Sequence, residues 1–597
     1  MEIKKILENA LNKSINKITN EDAKFNNIVS FSSRPEISDF QSNIAFSLAK
    51  QLKTNPMELA NKIVDGLDGD VKNLFNITVI APAFINFSLT EAGVMQILAD
   101  MQADSNYGID KTIGNGKTVV LDYGGANIAK ELHMGHLRSP IIGESIKRLY
   151  NKFGYHTVSD VHLGDWGLQM GLVFAMLEEY GMTDYYYGKS TVKPVVTLDF
   201  LNENYPKASK RSKVDEEFKK KADNYTLLLQ RKAEPIYTIW KDIRKVSIEA
   251  IKRNYSELNC TFDLWYGESD AYPYIQRTID AFTSRGLTEE SDGATIVNVA
   301  REGEHIPIPK KNPDDVNEKQ LYKNPMPPVI IKKYNGGDLY ATTDIATIMQ
   351  RAESYKDLAE IVYIVDKRQA THFEGVFRCC RLANICPENV KLTHIGYGTM
   401  NGKDGKPFKT REGGSIKLQD IIDMVKNKAE EKLKSNGVKE NSDQLALAIG
   451  VSAMKFGDLS NDVSRDYIFD LDNFMSFEGK TGPYLQYTAV RIKSILQKAG
   501  EFTRMINFVN SEIKNLTIEL LKLIDAYKLA LANYSPSQIC NALYGLASAY
   551  STFYNNVRII SEQDENKKNS FLTVSELVYN ALCDGLDCLA ITVPEKM

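Results

Sequence analysis

The chain has 597 residues, 43% hydrophobic, 25% charged and 10% aromatic, a length that exceeds one hydrophobic core and predicts about two to four domains. This balance excludes a disordered or fibrous protein. Seventy-three Lys and Arg against 77 Asp and Glu leave a formal net charge of −4, so any nucleic-acid surface has to be local.

Cys260, Cys379, Cys380, Cys386, Cys540, Cys583 and Cys588 lack paired metal-type spacing, which predicts reduced thiols in a cytoplasmic protein and no metal site built from them. Residues 1–10 mix charged and apolar side chains. They lack the pattern of a signal peptide, and no membrane span is expected.

In chain order, residues 1–116 alternate helical stretches with short strands at 77–80 and 84–87 and predict an α+β N-terminal domain. The Gly-rich segment 107–117 reads as a linker. A β-branched run at 118–123 stops at Gly124-Gly125, a helix over 137–152 ends at Gly154, and a second strand is expected over 157–162. This is a βαβ unit, and residues 117–444 are expected to form a Rossmann-like catalytic domain with a parallel sheet.

Residues 198–255 are polar and helix-periodic, with Lys219, Lys220 and Lys221 in a block. They read as a solvated helical insertion or, alternatively, as a nucleic-acid patch. Strand signals return at 295–297 and 329–331, with a turn at 335–338. From 445 to 597 amphipathic helices are expected at 484–496, 518–531 and 537–554, giving an all-α C-terminal domain. The fold class is multidomain α/β.

The chemistry is concentrated in residues 127–136, which include Asn127, Lys130, His133, Met134, Gly135 and His136 between a strand end and a helix start. Backbone N–H groups and the helix dipole attract phosphate there. Two imidazoles three residues apart can address one ligand, and Gly135 lets a flat adenine or a phosphate approach the backbone. ATP is the expected ligand. His133 and His136 also suit metal ligation, but no cysteine pair or HExxH arrangement completes a zinc site. Far downstream, residues 402–415 form a Gly-rich basic loop containing Phe408 and Lys409. It reads either as a solvated turn or as a mobile clamp that meets charge developing on phosphate.

These two strings resemble the HIGH and KMSKS signatures of class I aminoacyl-tRNA synthetases, the second in degenerate form. The text around them is similar to arginyl-tRNA synthetases: Asn127 to Lys130, Leu137-Arg138-Ser139, Gly164-Asp165-Trp166-Gly167 with Gln169, 340–346, 366–373 and the terminal Pro594-Glu595-Lys596-Met597. The resemblance covers essentially the whole chain. It implies an ATP- and Mg2+-dependent ligase, a monomer without membrane or DNA partners, that joins L-arginine to tRNA(Arg). It also implies that His133, His136, Lys130 and Lys409 are catalytic, with Lys130 supplying a charge missing from the second signature. Gly135, Met400 and Phe408 join His133, His136 and Lys409 around ATP. Where the family shows Ser-Ser-Pro or Ser-Gly-Pro this chain has Gly124-Gly125-Ala126, so that loop is expected to be more flexible or differently hydrogen-bonded.

A guanidinium is always charged and offers a planar fork of donors, so an arginine pocket needs carboxylates. The resemblance implies that Asp344 and Tyr340 face the guanidinium, with Asp122, Asn127 and Gln369 completing the contacts. A lone Asp after a strand is otherwise a common cap or turn residue. The resemblance further implies tRNA-dependent activation, an N-terminal domain at the outer corner of the tRNA, and Tyr554 and Met597 at the anticodon. Tyr554 also fits a helix core, and Gln486, Tyr487 and Arg491 read as structural at the domain junction. Rival readings are a glutamate, glutamine or cysteine synthetase, a nucleotidyltransferase acting on a small metabolite, and a non-catalytic RNA-binding scaffold.

Overall fold

The structure is a computed structural model that describes residues 2–104, 106, 108–304, 326–332, 340–406, 416–435 and 443–597. The chain opens with α1 (Ile3–Thr19), β1 (Ser30–Phe31), β2 (Phe40–Ser42), α2 (Ile44–Leu52), α3 (Pro56–Asp65), α4 (Gly69–Leu74), β3 (Phe75–Ile80), β4 (Phe84–Leu89) and α5 (Glu91–Ala103). Local chemistry sets the limits of these elements. Pro56 opens α3 behind Asn55, whose side chain accepts from Met57 N and Glu58 N, and Thr90 caps α5 through Gly93 N. The strands form an antiparallel sheet in the order β1-β2-β4-β3, with Phe40, Phe75 and Phe87 packed edge to face beneath it.

The catalytic unit begins with β5 (Thr118–Asp122), α6 (Arg138–Lys152), β6 (His156–Asp160) and α7 (Leu168–Glu179). The insertion is three helices, α8 (Leu198–Arg211), α9 (Glu216–Gln230) and α10 (Ile236–Glu257). There follow α11 (Glu268–Ala271), α12 (Ile275–Thr283), β7 (Thr288–Ser291), β8 (Ala294–Val297), β9 (Val329–Lys332), α13 (Tyr340–Ser354), β10 (Leu358–Asp366), α14 (Ala370–Leu382), β11 (Lys391–Tyr397) and β12 (Met400–Asn401). The central sheet runs β11-β10-β5-β6, and every neighbouring pair is parallel. Every residue of β5 is buried, as a central strand covered on both faces requires. The sheet grows outward in both directions from β5 and β10. Their C-terminal ends therefore border the crevice where a doubly wound sheet binds ligands.

Two expectations change. Residues 108–117 are not a free linker: Gly114 N donates to Phe153 O at 2.9 Å and Gly116 N to Gly154 O at 3.0 Å, which fastens the segment to the end of α6. The insertion keeps Lys219 and Lys220 in solvent, yet it buries Phe218, Ala222, Tyr225 and Leu229. The turn expected at 335–338 lies outside the described residues.

The remainder comprises α15 (Leu418–Ser435), α16 (Asp443–Leu459), β13 (Tyr467–Ile468), α17 (Leu471–Phe474), α18 (Gly482–Ala499), α19 (Ser511–Asn533), α20 (Ser537–Asn556) and α21 (Glu565–Cys588). Thr481, Asn510 and Asp564 cap α18, α19 and α21. This helical unit is fastened to α6 by Arg148 on Asp587 at 2.6 Å and by Lys152 on Asp584 at 2.7 Å. None of the described helices is long and apolar enough to cross a membrane.

Candidate active site

After β5 the backbone turns at Gly124, which has φ +72°. A Cβ there would sit 3.0 Å from Phe262 and 3.1 Å from the Tyr255 hydroxyl, so conformation and space both favour glycine. Gly124 N donates to Ser139 Oγ at 2.8 Å, and Ser139 Oγ donates to Ile364 O at 2.7 Å. The Tyr255 hydroxyl donates to Gly124 O. Both backbone polar groups of Gly124 are thereby hydrogen-bonded.

The two histidines stand on a short 3-10 turn, Met134–His136. His133 Nδ1 accepts from Gly135 N at 3.0 Å, His136 Nδ1 accepts from His133 N at 3.1 Å, and the ring centroids are 4.0 Å apart. An imidazole that accepts at Nδ1 carries its proton on Nε2, so each ring keeps an Nε2–H donor for a ligand. Burial pushes His136 down to about 3, and burial together with the Lys130 charge lowers His133. Both rings are thus neutral near pH 7 and act as hydrogen-bond donors. The metal-ligand alternative loses both Nδ1 atoms to backbone N–H groups. A Cβ on Gly135 would lie 2.8 Å from His133 Cε1.

A cleft of about 290 Å³ brings His133 and Gly135 together with Arg138, Asp366, Tyr397 and Met400. The Arg138 side chain shapes its wall: Nε pairs with Asp458 at 2.9 Å, and Nη1 donates to Gly398 O at 2.7 Å and Arg465 O at 3.1 Å. Tyr467 donates to the same Asp458 oxygen at 2.8 Å. Asp458→Ala strands a buried guanidinium and is expected to cost about 3–5 kcal/mol, read as a fall in the midpoint of urea unfolding. An unchanged midpoint would remove this pair from the account. Phe408 and Lys409 lie outside the described residues.

In a separate group of carboxyl side chains, Asp165 and Asp344 lie within electrostatic reach of Glu268. Asp344 Oδ2 lies 2.6 Å from His372 Nε2, and Tyr340 at the start of α13 is 74% exposed. Asn127 is exposed and seated against Gly164, where a Cβ would meet its Oδ1 at 2.2 Å. Gln369 is exposed on the turn that follows β10.

Asp122 does not offer the free carboxylate expected of it. Its Oδ2 is 2.7 Å from Arg351 Nη2, which also binds Asp160 at 2.8 Å, with all three side chains buried. Asp122, Asp160 and His162 have ligand atoms close enough together for a cation, but Arg351 already bridges the two carboxylates.

Sequence reasoning missed Glu268. Burial pushes its carboxyl up to about 7, against the nearby His162 charge, while Asp165 and Asp344 push it the same way. Asp165 has its own cation, Arg244, at 2.9 Å. Among the described residues no Lys or Arg pairs with Glu268. In the sequence a lone Glu in the first turn of a four-residue helix reads as a dipole cap. The pairing of residues 264–268 with 160–163, including Gly267 against Leu163 and Glu268 N on Leu163 O at 3.0 Å, brings it to these carboxyl groups. Tyr340 senses both Glu268 and Tyr205 electrostatically, and the Lys130 ammonium lies 4.3 Å from the Tyr205 ring centroid. Tyr340 is thus within electrostatic reach of both the carboxyl group at Glu268 and the ring that meets Lys130.

A further cavity of about 560 Å³ lies in the helical unit, lined by Tyr484, Tyr487, Thr488, Arg491, Tyr550 and Met597. Arg491 stacks 3.7 Å over the Tyr554 ring, so Tyr487 and Arg491 face a cavity as well as the domain junction. Gln486 is buried and donates to Thr592 O at 2.6 Å, a structural role.

Three family models match the chain: "Arginyl tRNA synthetase N terminal domain" over residues 1–89, "tRNA synthetases class I (R), catalytic domain" over 94–471 and "DALR anticodon binding domain" over 485–597. A curated arginine–tRNA ligase of Alkaliphilus oremlandii is 39% identical over 582 residues, covering 96% of each chain. That of Agathobacter rectalis is 38% identical over 591 residues, covering 95% of this chain and 96% of its own. The fold is similar to solved arginyl-tRNA synthetases from Plasmodium falciparum, with TM-score 0.78 and 24% identity over 100% of this chain and 99% of that one, and from Thermus thermophilus, with TM-score 0.77 and 20% identity over 99% and 100%. With the catalytic-domain model matching residues 94–471 and relatives 38–39% identical along nearly the full chain, this chain belongs to the arginyl-tRNA synthetases.

Proposed function

We propose that this protein activates L-arginine with ATP and transfers it to tRNA(Arg), and that the residues gathered at the C-terminal ends of β5 and β10 carry out both steps. The observation that carries this reading is Glu268, a half-buried carboxyl with no Lys or Arg partner among the described residues and within electrostatic reach of Asp344, the two marking the chamber proposed to receive arginine, while Tyr340 is within electrostatic reach of both Glu268 and the Tyr205 that meets Lys130. A guanidinium entering that chamber supplies the positive charge it lacks. Lysine leaves part of the forked acceptor site unpaired, and neutral citrulline leaves a carboxylate uncompensated.

In the first step an oxygen of the arginine carboxylate bonds to the α-phosphorus of ATP while the bond to the pyrophosphate oxygen breaks, giving arginyl-adenylate and pyrophosphate. In the second, a hydroxyl of the terminal adenosine of the tRNA attacks the activated carbonyl, loses its proton and releases AMP. The Nε2–H groups of His133 and His136 donate to phosphate oxygens as their charge grows, and Lys130 adds a full positive charge. Lys409 and Phe408 of the basic loop are the nucleotide contacts from that segment, with Gly135 and Met400 against the adenosine. Asn127 and Gln369 hold the amino and carboxylate groups of arginine, while Asp122 acts through Arg351 as part of the chamber floor. Asp366 lines the cleft but is paired with Arg368 at 2.6 Å. This suits Mg2+ arriving on the ATP phosphates with its own waters rather than in a protein cage.

The helical unit receives the anticodon, with Tyr554 and Met597 as contacts beside the aromatic cavity, and the N-terminal domain meets the outer corner of the tRNA. The protein acts as a cytoplasmic monomer. The test is arginine-dependent exchange of pyrophosphate into ATP, with and without tRNA. Exchange with arginine but not lysine or citrulline, and only with tRNA present, is expected. Equal exchange with lysine would overturn the specificity, and equal rates without tRNA would overturn the dependence.

Glu268 gives this pocket a pH signature. Its carboxyl is protonated below about 7, whereas a guanidinium binds its ionised form. The KM for arginine is expected to be about tenfold lower at pH 8 than at pH 6, and Glu268→Gln is expected to abolish that slope. A KM independent of pH in the unaltered protein would exclude Glu268 from the pocket.

A further inference from the structure

The helical insertion reaches the loop that carries Lys130. Thr197 caps α8 through Phe200 N at 3.2 Å, and the helix then crosses the loop that leads to the histidines. Asn202 Oδ1 accepts the Glu131 N–H at 2.6 Å, and the Tyr205 ring lies under the Lys130 ammonium at 4.3 Å from its centroid. From the other side Glu131 is held by Lys417 at 2.6 Å, and Met134 N donates to Ile416 O at 2.9 Å. Residues 130–134 are therefore gripped between α8 and the segment that enters α15.

The Lys130 ammonium is half-buried, and among the described residues no carboxylate pairs with it. Taking an ammonium partly out of water without a counter-ion is costly unless another group replaces the lost hydration. The face of an aromatic ring does so through its quadrupole and leaves the charge unshared. The Tyr205 hydroxyl points toward Ser209, one turn along α8, so the ring rather than the hydroxyl meets Lys130. A carboxylate in that place would hold the lysine equally well but would cancel the charge needed for phosphate.

We propose that Tyr205 is a positioning residue for adenylate formation: its ring holds the Lys130 ammonium beside His133, uncompensated, for the phosphates of ATP. The insertion is thereby part of the active site. This rests on the reading of Lys130 as a phosphate ligand.

The experiment is a double-mutant cycle on the full-length protein, read by arginine-dependent pyrophosphate exchange with tRNA present. Tyr205→Leu is expected to lower kcat about fivefold, the scale of a partly desolvated cation–π contact, with the KM for arginine and the thermal midpoint unchanged. Tyr205→Phe, which keeps the ring, is expected to restore the rate to within about twofold of the original. In a Lys130→Ala background Tyr205→Leu is expected to cost nothing further. Equal losses from Leu with and without Lys130, equal losses from Leu and Phe, or a full rate with Leu would each overturn the proposal. A full rate in Lys130→Ala alone would overturn the reading of Lys130 beneath it, a distinct outcome.

Discussion

Asp344→Ala is expected to lower kcat/KM for arginine about a thousandfold in pyrophosphate exchange, because truncating one partner of a desolvated charged pair costs about 2–5 kcal/mol. The KM for ATP should change by no more than about twofold, since the nucleotide cleft is lined by other residues. In the free protein His372 holds the Asp344 oxygen at 2.6 Å. An entering guanidinium must therefore displace or share that contact. Asp344→Asn, which keeps the shape and removes the charge, should lose nearly as much as Ala. A mild loss in both variants would mean that Glu268 alone carries the recognition.

The second large effect concerns His136. Removing one preorganised donor to a developing phosphate charge is expected to lower kcat about a hundredfold to a thousandfold, so His136→Ala should lose that much exchange while tRNA binding persists. Its pH dependence separates two accounts of the ring. Burial holds His136 near 3, so the ring stays neutral from pH 6 to 8 and contributes no titration of kcat there. If the ring instead acted as a cation, kcat would fall as pH rises through its ordinary range near 6.5. With the ring neutral, the proposed sources of a full positive charge for the phosphates are Lys130 and Lys409.

The histidine turn was legible in sequence because its parts are adjacent: strand, glycines, two imidazoles and helix follow within 35 residues, from Thr118 to Lys152. Half of the parallel sheet is legible: the runs at 118–123 and 157–162 fall on β5 and β6, whereas the sequence reading holds no strand at β10 or β11, and its signals at 295–297 and 329–331 belong to β8 and β9, which pair antiparallel in a separate sheet. What sequence could not show depends on distant pairing. Asp122 reads as a free acid until Arg351, on α13, is seen between it and Asp160. Glu268 reads as a helix cap until Gly267 is paired with Leu163. The insertion looks like a solvated appendage because its lysines are mostly exposed, while Asn202 and Tyr205, which meet Glu131 N and the Lys130 ammonium, are uncharged residues one turn apart on α8. The tautomers of His133 and His136 follow only from backbone geometry.

One chemical demand stands above the others: a cationic side chain must be received beside a site that activates carboxylates with ATP. Charging of total tRNA with each of the standard amino acids in turn, under identical ATP and magnesium, tests it most directly. Acid-stable incorporation of arginine alone is the predicted result. Incorporation of a different amino acid, or of none while ATP is still cleaved against a small metabolite, would contradict it.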